Sequence, residues 1–234
     1  MKLNIIYNLL TSHFGQQNWW PVTEKGKLHP TYSGGPKNES QQLEVIFGAI
    51  LTQNTNWKNV EKAIAELNKN NLVDINKIIE IEHKKLAEII KSSGYNNQKA
   101  KKLKNFCNFL IKKYNGKLSL LFNESIKDLR KQLLSINGIG PETADSITLY
   151  AAKKPIFVID AYTKRVFNRI GFKEEAYDKL QALFMKNLPN NEKLFNEYHA
   201  LIVELGKSIC KKHPLCNKCP VSQHCDYYKN IHKN

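Results

Sequence analysis

Apolar residues recur along this chain at spacings of three and four. Leu43, Ile46, Phe47, Ile50 and Leu51 form one such stripe, and Val60, Ala63, Ile64 and Leu67 form the next. The pattern returns at Leu103, Phe106, Cys107, Leu110 and Ile111, then at Ile126, Leu129, Leu133 and Leu134, and again at Tyr198, Leu201, Ile202, Leu205 and Ile209. This is the period of a helix with one buried face. Breaks fall at Gly94, Asn115-Gly116, residues 137–141, Gly171 and Pro189-Asn190-Asn191, where turn-forming residues collect. The one strand-like stretch, Pro155 to Ile159, is too short and isolated to found a sheet. The spacing therefore predicts an all-α fold of about ten short helices. Residues 23–41, with Gly34-Gly35-Pro36, read as a long surface loop, and no internal repeat is present.

Composition narrows the function. The 234 residues carry 36 Lys plus Arg against 21 Asp plus Glu, a formal charge of +15. With 41% hydrophobic and 24% charged residues, wholesale disorder is excluded. No apolar run approaches the roughly 20 residues that cross a bilayer, and the first residues lack a signal-like apolar core. No membrane partner is expected, and a cytoplasmic, nucleoid-associated location is. The basic balance points to a polyanion such as nucleic acid, since phosphate neutralisation releases counterions. A lysine-rich proteome bias would also explain it, together with the many Asn. The charge is spread through the chain, with local runs at 99–104 and 211–213, so a binding face would be built into the fold.

Three segments carry candidate chemistry. In the first, a helix pattern ends at Leu134, Gly138 and Gly140 flank Ile139, and Pro141 opens a second helix pattern. Such a turn points backbone N–H groups outward at the positive end of a helix, a natural seat for a DNA phosphate; an ordinary helix connection has the same pattern. In the second, an apolar run leads to Asp160 just before the helix pattern that contains Lys164 and Arg165. Asp160 reads as a helix N-cap, and the same placement would hold an ionised carboxylate beside a sugar that is losing its base. Lys164 and Arg165 could touch phosphates or simply face solvent. In the third, Cys210, Cys216, Cys219 and Cys225 fall in the pattern C-x5-C-x2-C-x5-C, suited to a [4Fe–4S] cluster or a zinc ion. Cys107 sits on an apolar stripe and reads as core. Trp19-Trp20-Pro21 could cap the core or offer a stacking wall to a base.

The order of hairpin, proline and aspartate resembles the helix-hairpin-helix, Gly/Pro-Asp superfamily of DNA glycosylases, the endonuclease III relatives. The resemblance runs from about Leu43 to Cys225 and is most specific from Leu133 to Arg165. It implies two helical lobes about a central cleft: 43–152 as a helical barrel ending in the hairpin, and 1–42 with 153–234 as a discontinuous lobe carrying the aspartate and the cluster loop 210–225. By that similarity Asp160 is the catalytic residue. Gly138, Ile139 and Gly140 grip phosphate, and Gln53 fills the space left by a flipped base. The four cysteines hold a [4Fe–4S] cluster, although the family's usual first gap is one residue longer. Where endonuclease III carries a lysine nucleophile, this chain has Glu142, which cannot form an imine with the sugar.

Trp19-Trp20-Pro21, residues 48–55 and 94–101, and the glutamate after the hairpin are most similar to the 3-methyladenine branch. There the Trp-Trp-Pro segment lines the base pocket, and Leu43 stands in place of the branch's aromatic wall. The resemblance implies a monofunctional N-glycosylase of base excision repair, acting as a monomer on double-stranded DNA with a damaged base, an alkylated purine above all. Two alternatives stay open: an endonuclease III-like glycosylase for oxidised or mismatched pyrimidines, with or without AP-lyase activity, and a non-catalytic DNA-binding protein.

Overall fold

Polar side chains set where most of the longer helices begin. In the computed structural model, which describes residues 2–174 and 176–231, Asn38, Asn56, Asp74, Ser125, Asp160 and Asn191 each accept a hydrogen bond from the backbone N–H three residues on. That satisfies one of the donors a helix start leaves open. The helices among the described residues are α1 (Lys2–Phe14), α2 (Glu39–Leu51), α3 (Trp57–Lys69), α4 (Ile75–Glu80), α5 (His83–Ile89), α6 (Asn96–Tyr114) and α7 (Leu118–Phe122), followed by α8 (Ile126–Leu134), α9 (Pro141–Ser146), α10 (Ala161–Ile170), α11 (Tyr177–Asn187), α12 (Glu192–Ser208) and α13 (Asp226–Ile231). The fold is all-α, and none of these helices is long and apolar enough to cross a membrane. Among the described residues, the one β-type pairing is an isolated bridge between Val22 and Thr31.

The chain divides into two compact units, residues 1–19 with 155–234, and residues 20–154. The N-terminal division falls at 19/20 rather than at 42/43 because residues 20–31 are tied to α2 and α3. Thr23 N donates to Glu44 Oε1 at 2.7 Å, and Gln41 Nε2 donates to Thr23 O at 3.1 Å. Asn68 Nδ2 reaches Thr23 Oγ1, Leu28 O and Glu44 Oε2. Glu44 is buried, and burial pushes its carboxyl above the usual range against the hydrogen bonds that lower it. The segment expected as a long surface loop is exposed over residues 24–29 and anchored at both ends.

In the unit of residues 20–154, α2 is the central helix, buried from Leu43 to Leu51. A helix apolar on all sides is one that neighbours enclose. In the other unit the core is aromatic. Phe157 stacks on Phe184 with centroids 3.9 Å apart, and Phe167, Phe195 and Tyr198 pack edge-on around them. The strand-like stretch runs through this cluster as extended chain. Ile156 to Ile159 are buried, and side chains of α11 satisfy the backbone: Gln181 Nε2 donates to Phe157 O at 2.6 Å, and Ile159 N donates to Tyr177 Oη at 3.4 Å. This segment delivers Asp160 to the start of α10.

Candidate active site and nucleic-acid interface

The hairpin between α8 and α9 is braced from two sides. Gly138 has φ +97°, and a Cβ there would lie 2.5 Å from Lys102 Cγ, so the aliphatic stem of Lys102 on α6 crosses the turn where only glycine leaves room. Asn105 Nδ2 donates to Asn137 O at 3.0 Å. Gln53, just past α2, donates from Nε2 to Gly138 O at 3.1 Å and to Thr143 Oγ1 at 2.9 Å, while its Oε1 accepts from Lys102 Nζ. The turn's carbonyls are therefore held by the protein. Ile139 is buried, and its N–H closes the turn on Ile136 O at 3.0 Å.

The two hairpin helices are locked by an ion pair. Arg130 on α8 meets Asp145 on α9, Nε to Oδ1 at 2.8 Å and Nη2 to Oδ2 at 3.4 Å, with the Asp145 side chain fully buried. A buried charge pair of this kind is costly to break from one side. The chain continues from α9 into a π-helical turn, Ile147–Ala151, a wide form often found near functional sites. Glu142 is exposed on the first turn of α9. On α6, Lys99 is buried and donates from Nζ to Leu51 O at 2.7 Å, Thr55 Oγ1 at 2.7 Å and Ser93 O at 2.6 Å. Burial first, and then the charge of Lys102, lower its pKa to about 8.

In the other unit, Asp160 caps α10. Its Oδ1 accepts from Thr163 N at 2.6 Å, and its Oδ2 lies 3.7 Å from Nε2 of His199 on α12. The carboxylate side chain is 13% exposed, enough to meet a ligand at one oxygen while the helix start holds the other. His199 is buried, and burial pulls its pKa down more than the Asp160 charge raises it, which favours the neutral imidazole. Contact between α10 and α12 depends on Gly206, where a Cβ would stand 2.6 Å from Tyr162 Cδ1 and 3.0 Å from Tyr162 Cβ. Arg165, expected at phosphate, is turned toward α12: Nη2 donates to Gly206 O at 2.9 Å and Nε to Cys210 O at 3.0 Å, carbonyls that a helix end leaves open. Lys164 extends over the Tyr177 ring, 5.9 Å from its centroid.

Cys210, Cys216, Cys219 and Cys225 line one small pocket together with Arg169, Pro214, Tyr227 and Tyr228. Arg169 Nη1 donates to Cys210 Sγ at 3.3 Å and to Lys211 O at 2.6 Å, and Cys225 Sγ donates to Arg169 O at 3.2 Å. Burial, then the Cys225 and Cys210 charges, push the Cys216 thiol up. The Cys219 thiol is pushed up to about 11, by burial and then, against a hydrogen bond from Val221, by the other three sulfurs. Four sulfur donors lining one pocket are a donor set that an iron–sulfur cluster or a zinc ion can use. Among the described residues no three Cys, His, Asp or Glu side chains are grouped closely enough to hold a metal ion.

The expected base-pocket residues divide between the units. Trp19 ends the segment that packs with Asp160's unit; Trp20, Pro21 and Leu43 are buried in the hairpin's unit. Trp20 lies against Gly48, edge-on to Trp57 at 5.1 Å and tilted on Tyr150 at 5.2 Å, the environment of a core residue. Cys107 is buried, as its stripe predicts, and burial raises its pKa. Sequence reasoning missed Lys102, Asn105, Thr143, the Arg130–Asp145 pair, Arg169 and His199. A polar residue inside the apolar stripe of α12 was the available signal for His199, and the Arg165/Arg169 spacing of one helical turn was that for Arg169.

Residues 47–190 match the family model described as HhH-GPD superfamily base excision DNA repair protein. The chain belongs to this superfamily. A Methanocaldococcus jannaschii protein, itself only provisionally assigned as a DNA repair glycosylase, is 44% identical over 225 residues, 94% of each chain. Endonuclease III of Sulfolobus acidocaldarius is 31% identical over 81% of this chain and 83% of its own. Among solved structures, H. pylori 3-methyladenine DNA glycosylase bound to 1,N6-ethenoadenine superposes with a TM-score of 0.70 at 28% identity, covering 88% of this chain and 97% of that one. This HhH-GPD protein is a DNA glycosylase of base excision repair.

Proposed function

We propose that this glycosylase is monofunctional: it hydrolyses the N-glycosidic bond of an alkylated purine in duplex DNA and leaves an abasic site. The observation that carries the reading is Glu142, exposed on the first turn of α9 where the family resemblance expects a nucleophilic lysine. Without that amine, water is the acceptor. The braced hairpin, through the amides of Gly138 and Gly140, and Lys164 take phosphates. The target nucleotide leaves the stack, and Gln53, exchanging its bonds to Gly138 O, Thr143 Oγ1 and Lys102 Nζ for the DNA, enters the vacated space. Asp160 Oδ2 stabilises the oxocarbenium-like sugar and orients a water. The water oxygen bonds to C1′ as the C1′–N bond breaks, the bonding pair leaves with the base, and the water's proton passes to solvent. An alkylated purine already carries positive charge and departs neutral, so one carboxylate suffices. The likeness to the H. pylori glycosylase supports this substrate class.

The same reading keeps Trp19 as the base-facing aromatic, leaves the buried Trp20, Pro21 and Leu43 to the core, and assigns a [4Fe–4S] cluster to Cys210, Cys216, Cys219 and Cys225. When bound, such a cluster supplies a rigid cross-link for the loop after α12, and Arg169 holds that loop to α10 in either case. The protein acts as a monomer in the cytoplasm. Incubation with DNA methylated by dimethyl sulfate should release free methylated purines. Duplexes carrying uracil or thymine opposite guanine, or thymine glycol, should yield far less alkali-sensitive product. Borohydride should trap no protein–DNA adduct; adduct at high yield would return the endonuclease III-like lyase reading.

A further inference from the structure

We infer that His199 is a positioning residue for the glycosidic cleavage: from α12 it fixes the second oxygen of the Asp160 carboxylate. The inference rests on the assignment of Asp160 as the reacting carboxylate. A carboxylate with one anchored oxygen still turns about a broad, two-fold terminal torsion. Thr163 N anchors Oδ1, and Oδ2 is the atom left to face the sugar. His199 Nε2 stands 3.7 Å from Oδ2, with both side chains largely enclosed. That distance exceeds a hydrogen bond. It shortens to one with a shift of about 0.8 Å, the kind of tightening that ligand binding brings to catalytic contacts.

The geometry is built rather than incidental. Gly206, two turns along the same helix from His199, lets Tyr162 approach. Arg165 then clasps the end of α12 through Gly206 O and Cys210 O. These contacts fix α10 against α12, and so fix how far Asp160 stands from His199. The tautomer with its proton on Nε2 directs an N–H dipole at Oδ2. A buried neutral imidazole orients the carboxylate without cancelling its charge, which a cationic one would do beside a developing oxocarbenium ion.

The test compares the full-length wild type with His199→Phe, which fills the site without a donor, and His199→Gln, whose amide returns an N–H donor. Asp160→Asn serves as a control. Single-turnover base release is measured on dimethyl sulfate-methylated duplex, and binding on a duplex with a tetrahydrofuran abasic analogue. His199→Phe should slow base release roughly ten- to hundredfold, the range of losing a hydrogen bond to a charged group. Binding should change less than about threefold, and His199→Gln should recover most of the rate. If His199→Phe fails to fold, His199→Met carries the same comparison. Base release at the wild-type rate without the donor, with Asp160→Asn inactive, overturns the role of His199 alone. So does a Gln variant as slow as Phe, since packing would then explain both. An active Asp160→Asn overturns the assignment of the carboxylate itself.

Discussion

Gly206→Ala separates stability from catalysis. The added Cβ would meet Tyr162 Cδ1 at 2.6 Å, Cβ at 3.0 Å and Cγ at 3.1 Å. Ordinary carbon contacts lie at about 3.5–4.0 Å. The ring can swing, but Tyr162 Cβ is fixed to the α10 backbone, so the helices must part by about 0.5–1 Å. Overpacking of this kind costs about 1–3 kcal/mol, and replacing a glycine in the last turn of a helix by alanine returns about 1 kcal/mol. The net loss in stability is then about 0–2 kcal/mol, read from the urea midpoint. Catalysis should suffer more. A displacement near 1 Å at the reacting groups costs about a hundredfold, so single-turnover base release should fall at least tenfold in a protein that remains folded at the assay temperature. Adding Tyr162→Ala removes two of the three close contacts and should recover part of the rate. Gly206→Ala with wild-type base release would falsify the claim that α10–α12 spacing sets the carboxylate.

Arg130→Met leaves the fully buried Asp145 without its guanidinium and should cost about 3–5 kcal/mol in urea unfolding; a loss under 1 kcal/mol would mean the pair is not structural. Lys99 predicts a pH dependence. Its folded pKa of about 8 lies below the ordinary 10.5, so between those values the unfolded chain holds more protons and stability gains a favourable contribution as pH rises. The difference in melting temperature between wild type and Lys99→Met should grow over that window, and a flat difference would refute the burial argument. Glu142→Lys restores an amine at the family's nucleophile position and should produce a borohydride-trapped DNA adduct absent from the wild type. No adduct on a variant that still releases base would show that position 142 does not reach the sugar.

The helices were legible because burial on one face leaves a period in the sequence, as in α2, α3, α6, α8 and α12. The short helices were less so: α4, α5 and α7 each bury one or two side chains, too few to make a stripe. At the site, what the chain writes locally could be read locally. Gly138, Pro141 and the capping Asp160 are each a backbone requirement expressed in one residue type. What the fold assembles from distant segments could not be read. Lys102 crosses Gly138 from another helix, and His199 reaches Asp160 from another, and neither pairing has a local pattern. Arg165 shows the converse: a basic residue one turn into the helix after Asp160 suggests phosphate, yet two backbone carbonyls take its guanidinium. Trp20 likewise reads as a stacking surface and packs as core, since aromatic size favours both and only the neighbours decide.

Among the described residues the extended lead-in to Asp160 has no neighbouring strand, so side chains from α11 meet its backbone needs. A ladder would have tolerated almost any residue at its pairing positions, because main-chain groups do the bonding. Here the burden falls on identity. Gln181, by its place on a helix an ordinary replaceable amide, grips Phe157 O three residues ahead of the carboxylate. Drift at such a position alters the aim of a group it never touches, and so helix α11 is held to its sequence by chemistry performed elsewhere.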